Sequence, residues 1–454
     1  MTPLLALTHN QSLLLIAAVA VLGLVFLITK FKLNAFVALV LASLFVGLCS
    51  GMKLPEIGKA LQDGVGGVLG SIAIVVGLGT ILGKMLAESG GAEQIATTLI
   101  RVLGEKHLHW AMMLIGFIVG IPVFFGVGLV LLVPILFTVA KRTKMPFLQL
   151  GIPMVCGLTV AHNLVPPHPG IMVAIEVLKA DVGRTILYSF LVGLPTAALC
   201  GPLLGQLIAR RVEPPAPGGI GDQLANAPQR ANLPGFWLTL FTILLPVLLM
   251  LLAMVADVSL PKENRVRQWC DFVGHPSVAL LVAVLVSFWS FGTARGFSRE
   301  QIGKFAETCL GPVAAILLVV GGGGGFNKIL IASGLGGAIA EVATAVPISP
   351  MILAWLLSAG IRVAVGSATV AITTAAGIMV PIAAAVPGMN MELLVLALGA
   401  GSGFLSHVND SGFWLVKEYF NQTVAQTLQS WSLMASVKAV VALVFVLLLE
   451  ALLK

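Results

Sequence analysis

Charge is what this chain has least of. Lys, Arg, Asp and Glu make up 10% of its 454 residues while hydrophobic residues make up 58%, and its mean hydropathy is +1.04. A water-soluble domain has no interior large enough for that much apolar surface, so lipid is the solvent. Cysteine is scarce as well: Cys49, Cys156, Cys200, Cys270 and Cys309 stand singly, with no pair at metal-ligand spacing, and read as small packing residues. HExxH, GxSxG and paired catalytic carboxylates are missing from the apolar stretches, which argues against an enzyme. No basic patch with interleaved aromatics accompanies the net charge of +7, so the basic residues report membrane orientation rather than a nucleic-acid partner. The run Gly321 to Gly325 has no GK[ST] after it, so it reads as close helix packing and not as a phosphate loop. No cofactor or metal is expected.

Apolar stretches near or above the roughly 20 residues that cross the hydrocarbon recur through the chain, at 12–29, 34–50, 185–209, 235–256 and 432–453 among others. The first has no basic region before it and Lys30 and Lys32 after it, and is expected to be retained as a helix. The long polar stretch at about 210–234, with Arg210, Arg211 and Arg230 among Pro and Gly, reads as a cytoplasmic linker.

Residues 72–90 and 316–334 align at a spacing of 244, pairing Val75 with Val319, Gly77 with Gly321, Lys84 with Lys328 and Gly90 with Gly334. Ile121–Gly126 pairs with Ile361–Gly366 in the same order, which implies two homologous halves, an architecture common among carriers. Placing the basic clusters in the cytoplasm puts the N-terminus outside. The apolar segment 109–140, with Pro122, Gly126, Gly128 and Pro134 inside it, is then expected to be a re-entrant hairpin from the cytoplasm, and about 349–388 a hairpin from outside. The expected fold is an all-α polytopic membrane protein of two inverted repeats, with about ten spanning helices plus two hairpins and a broken helix in each repeat. Its expected divisions are an N-terminal helix (1–33), a first repeat (34–209), a linker and connecting helix (210–275) and a second repeat (276–454).

Glycine and proline interruptions at membrane depth mark binding sites, because only protein or a watery cavity satisfies the freed backbone. Four places qualify: the tips Gly126-Val-Gly128 and Gly366-Ser367-Ala368-Thr369, and the interrupted helices at 162–170 and 406–412. The second tip offers hydroxyls and helix-start N–H groups, which favour an anion. His162, Asn163, His168, His407, Asn409 and Ser411 supply further polar contacts. Asp410, His162 and His407 are the candidates for a coupled proton, since ionisable groups at membrane depth are costly; the alternative for Asp410 is a cap on the broken helix. Arg362 is suited to a bidentate pair with a substrate carboxylate, or to anchoring the hairpin on carbonyls or on Asp410. Lys84 and Lys328 each precede a Ser-Gly at a helix end, where a lysine snorkels.

The strings GSATVA at 366–371, HxxxPPHPG across 162–170 and SHVNDSGFWLVKEYF at 406–420 resemble the gluconate:proton symporter family over nearly the whole chain. That resemblance implies proton-coupled uptake of gluconate or a related sugar acid across the bacterial inner membrane. It also implies inverted repeats, an elevator-like transport domain and a homodimer. Carriage of another small organic anion or of D-serine, or an uncoupled anion channel, are the alternatives. Many members of the family have an acidic residue where this chain has Gly126, so coupling here is expected to use another group or to be impaired.

Overall fold

A computed structural model describes residues 9–212, 232–334 and 348–453. Among the described residues every regular element is helical, and ten helices are long and apolar enough to cross a membrane, Phe125–Thr143 and Ala368–Ala385 from the two expected hairpins included. Most of the linker stretch, including Arg230, and Pro347 beside the second expected hairpin lie outside the described residues.

Helix starts follow local capping chemistry. Asn34 accepts from Phe36 N at 2.9 Å ahead of Ala35–Cys49, and Asn390 accepts from Leu393 N at 2.9 Å ahead of Met391–Ser402. Ser298 and Gln301 form a reciprocal capping box that opens Arg299–Ala332. Each satisfies N–H groups that a helix start leaves without partners.

The two longest helices, Leu54–Glu88 and Arg299–Ala332, have 35 and 34 residues and pack against one another. At 1.5 Å per residue each is about 50 Å long, more than the hydrocarbon thickness. Their crossing rests on glycine: a Cβ on Gly64 would lie 2.5 Å from the Gly324 carbonyl oxygen, and one on Gly324 would lie 2.6 Å from that of Gly64. The five-glycine run is therefore a packing surface. Lys84 spends its charge on Glu88, 2.5 Å away in the last turn of its own helix.

Two helices, Phe147–Leu164 and Met391–Ser402, are enclosed by protein; every residue from Leu393 to Ser402 is buried. Both stop inside the bundle. Phe147–Leu164 resumes as Pro169–Leu178 after a break at Val165-Pro166-Pro167-His168, and Met391–Ser402 resumes as Ser411–Tyr419 after residues 403–410. Proline supplies no N–H to continue the first helix.

Gly91–Leu103 and Glu105–Gly120 form a pair bent by 112°, and Phe125–Thr143 follows a turn at Ile121–Phe124. The turn thus lies earlier than the expected Gly126–Gly128 tip, because Pro122 stops the first arm. Gly126 and Gly128 instead begin the second arm, where a Cβ on Gly128 would lie 2.6 Å from Leu158 Cδ2. Pro350–Val365 and Ala368–Ala385 are joined through Gly366 and Ser367 and pack on each other. Gly366 is required twice over: its φ is +78°, and a Cβ there would lie 2.2 Å from the Asn409 carbonyl oxygen.

Candidate functional site

The breaks converge on one cavity of about 280 Å³. Its wall takes Gly126 from the start of Phe125–Thr143, His162 and Asn163 from the end of the first broken helix, Gly366 to Thr369 from the second helix–turn–helix, and Ser402, Gly403, Ser406, Asp410 and Ser411 from the second broken helix. Turns gather here because each leaves backbone groups that only another turn or a polar cavity satisfies.

The strongest interaction in the wall joins Arg362 to Asp410. The guanidinium Nη2 donates to Asp410 Oδ2, and Nη1 donates to the Gly366 carbonyl, so one side chain holds the turn and the broken helix together. Asp410 Oδ2 also accepts from Ser406 Oγ, and Oδ1 caps Ser411–Tyr419 by accepting from Gly412 N at 2.9 Å. Of the readings open for these two residues, anchoring and capping are the ones their contacts realise. Arg362 Nε stays buried at the cavity without a partner.

Ser406 is held in turn by Trp431, whose Nε1 donates to its Oγ at 2.7 Å, while Ser432 Oγ donates to its carbonyl. Trp431 and Ser432 belong to a π-helical turn, Leu428–Ser432, inside the last span. Such turns re-aim side chains where an unbroken helix does not.

Nine of the twelve expected substrate-binding residues lie in the lining or next to its charged pair: Gly126, His162, Asn163, Arg362, Gly366, Ser367, Thr369 and Ser411 line it, and Asn409 presses its carbonyl on Gly366. His162 presents a buried Nδ1 with no partner. Ser367 Oγ caps Ala368–Ala385 by accepting from Val370 N at 3.3 Å, so its acceptor is already engaged. The structure places three residues elsewhere. Gly128 faces Leu158. His168 bonds the Gly120 carbonyl through Nε2 at 2.7 Å, with its ring against His162 at 4.7 Å, and borders a separate space of about 20 Å³. His407 bonds the Val363 carbonyl at 3.0 Å. The Asn409 side chain is likewise turned away, donating to the carbonyls of Val363 at 2.8 Å and Ala364 at 3.3 Å. Both side chains serve the free carbonyl end of Pro350–Val365.

Sequence reasoning passed over Lys438, Thr159 and Ser402. Lys438 Nζ, buried near the middle of the span Val424–Leu453, donates to Thr159 Oγ1 at 2.9 Å and Asn163 Oδ1 at 2.8 Å. Thr159 Oγ1 donates to the same Asn163 oxygen at 2.9 Å, and Asn163 Nδ2 donates to Ser402 Oγ at 3.2 Å. The signal was present: a lone lysine inside the apolar run 432–453 is an intramembrane ionisable residue.

Comparison with known proteins agrees over the whole chain. The model of the GntP family permeases matches residues 12–452. The chain is 51% identical over 443 residues to a gluconate permease of Pseudomonas aeruginosa, covering 98% of each. It is 42% identical to a high-affinity gluconate transporter of Escherichia coli, covering 96% of this chain and 99% of that one. The Escherichia coli Gnt-II system L-idonate transporter is 40% identical, with 97% and 99% covered. Among solved structures, the crystal structure of the Alcanivorax borkumensis YdaH transporter superposes with a TM-score of 0.64 at 17% identity, over 92% of this chain and 98% of that one, and shares the fold. The chain is a permease and not an enzyme, a multi-pass protein of the bacterial inner membrane, and it belongs to the GntP permease family.

Proposed function

We propose that the protein takes up gluconate or a closely related sugar acid by secondary active transport coupled to protons. The observation that carries this reading is the cavity itself: its wall combines the polar residues Thr159, Asn163, Ser367, Thr369 and Ser402 with the positively charged Arg362. A sugar acid has one carboxylate and several hydroxyls, and needs both kinds of partner. The names of the similar permeases support the same substrate class.

In this reading the carboxylate meets Arg362 and the N–H groups at the start of Ala368–Ala385, and the hydroxyls are read by Asn163, His162, Ser367 and Thr369. Of the three residues the sequence offered for the coupled proton, Asp410 is committed to Arg362 and Gly412, His407 bonds the Val363 carbonyl, and His162 lines the cavity. The same reading makes residues 34–209 and 276–454 inverted repeats, with 1–33 and 210–275 outside them. The matched lengths of Leu54–Glu88 and Arg299–Ala332 support it. Pro350–Val365 with Ala368–Ala385 is then the second re-entrant hairpin, and the two broken helices travel with the hairpin tips as an elevator in a homodimer.

Competition decides the substrate class. Uptake of labelled gluconate into proteoliposomes is expected to be suppressed by excess gluconate or idonate and left unchanged by a dicarboxylate or D-serine. Suppression by dicarboxylate or D-serine alone refutes the sugar-acid reading, and flux too fast for a carrier points to a channel.

A further inference from the structure

We propose that Lys438 carries the co-transported proton, protonated when the cavity holds its anion and neutral when the cavity is empty. The inference rests on the sugar-acid symport reading and assigns its proton to a residue one layer behind the cavity wall.

Three observations place Lys438 there. Its two hydrogen-bond acceptors, Thr159 Oγ1 and Asn163 Oδ1, both belong to cavity-lining residues. Ala435, three residues earlier on the same helix face, lines the cavity too. Gly403 closes the wall above the ammonium: a Cβ there would lie 2.7 Å from Lys438 Nζ and 2.9 Å from Asn163 Oδ1, so the wall at that point is as thin as a backbone.

The charges around it assign the role. Facing Lys438 among the described residues are Cys156 and His162 on Phe147–Leu164, Cys200 on the π-helical turn Leu199–Leu203, Arg362 on Pro350–Val365, and Asp410. Asp410 is the acid of this group, and Arg362 already holds it. With that pair neutral, a protonated Lys438 leaves the site with one positive charge, and neither of its hydrogen-bond partners is ionic. An uncompensated ammonium at mid-membrane is disfavoured, and a monoanion in the cavity supplies the missing charge. The loaded site, one ammonium and one carboxylate, and the empty site, one neutral amine, then carry the same net charge. A proton from water on the entry side adds to the Nζ lone pair as the anion binds, and returns to water on the exit side as it leaves. Neither a bare anion nor a bare proton crosses, which is what symport requires.

Lys438→Arg separates binding from coupling, because arginine keeps the positive charge and does not release its proton. The variant is expected to keep a measurable exchange of internal for external gluconate in proteoliposomes, and to lose accumulation driven by an inward proton gradient by tenfold or more. Accumulation by Lys438→Arg equal to wild type overturns the assignment. Failure of wild type itself to accumulate refutes the symport reading instead. Should Lys438→Arg lose exchange as well, Lys438→Gln decides: it is neutral and keeps donors for Thr159 and Asn163. On adding gluconate in weakly buffered detergent solution, wild type is expected to take up protons and Lys438→Gln to take up none; equal uptake by both overturns the proposal.

Discussion

Removing Asp410 together with its partner Arg362 should destabilise the protein less than the sum of the two single removals. The Arg362 and Asp410 side chains are 7% and 11% exposed, so solvent screens the pair little. In Asp410→Asn the amide retains an oxygen for Gly412 N, and asparagine caps as well as aspartate, so the cap contributes little to the loss. The loss comes from leaving the guanidinium buried without a counter-charge, which costs about 3–5 kcal/mol. Replacing both groups by apolar residues of similar volume, Arg362→Met with Asp410→Leu, removes both desolvation penalties, but leaves the Gly366 carbonyl and Gly412 N without partners at about 1–3 kcal/mol each at most. The double variant should therefore be less impaired than the sum of its single changes, with a coupling of about 2 kcal/mol or more. Thermal unfolding of wild type, Arg362→Met, Asp410→Leu and the double variant in one detergent, with Asp410→Asn beside them and gluconate absent, measures this. Single and double losses that simply add, or an Asp410→Asn protein as stable as wild type, would refute the claim that this pair joins the turn to the broken helix.

Glycine substitutions probe the geometry around the cavity. Gly366→Ala places a side chain at φ +78° and against the Asn409 carbonyl; the left-handed conformation alone costs about 1–2 kcal/mol, and a sharp fall in folded yield is expected by size-exclusion chromatography. Gly403→Ala places a Cβ 2.7 Å from Lys438 Nζ and 2.9 Å from Asn163 Oδ1 and should displace both, seen as a lowered gluconate affinity in a binding titration. Gly64→Val drives the two long helices apart at the Gly324 carbonyl, an overpacking cost of about 1–3 kcal/mol, read as a lowered unfolding temperature with the cavity chemistry untouched. Gly126→Ala meets Leu415 Cδ1 at 3.2 Å, a flexible side-chain end, and should transport within a few-fold of wild type.

The breaks were legible in the sequence because glycine and proline inside an apolar run weaken or interrupt the helix that lipid otherwise demands, and the convergence of 126, 162–163, 366–369 and 410–411 follows from them. What escaped was which side chains a turn aims inward. His407 and Asn409 flank Asp410 in sequence, yet the Asp410 cap fixes the loop so that both their side chains reach back to the end of Pro350–Val365. The pairing of Arg362 with Asp410 is one of the readings the sequence leaves open, and choosing it over a substrate contact needs the two breaks that bring residues 48 apart together. Lys438 was hidden by its setting: a single lysine hardly lowers the hydropathy of the run 432–453, and its partners Thr159 and Asn163 lie on a helix more than 270 residues away. The long helices, similarly, showed only their repeated halves, because Asp63, Lys59 and Glu56 make the start of Leu54–Glu88 look polar.

The most direct test of the account is uptake of labelled gluconate into proteoliposomes containing the purified protein, with and without an inward proton gradient. Accumulation above the external concentration that depends on the gradient and collapses with a protonophore is the predicted result. Equilibration to the external concentration regardless of the gradient would contradict it.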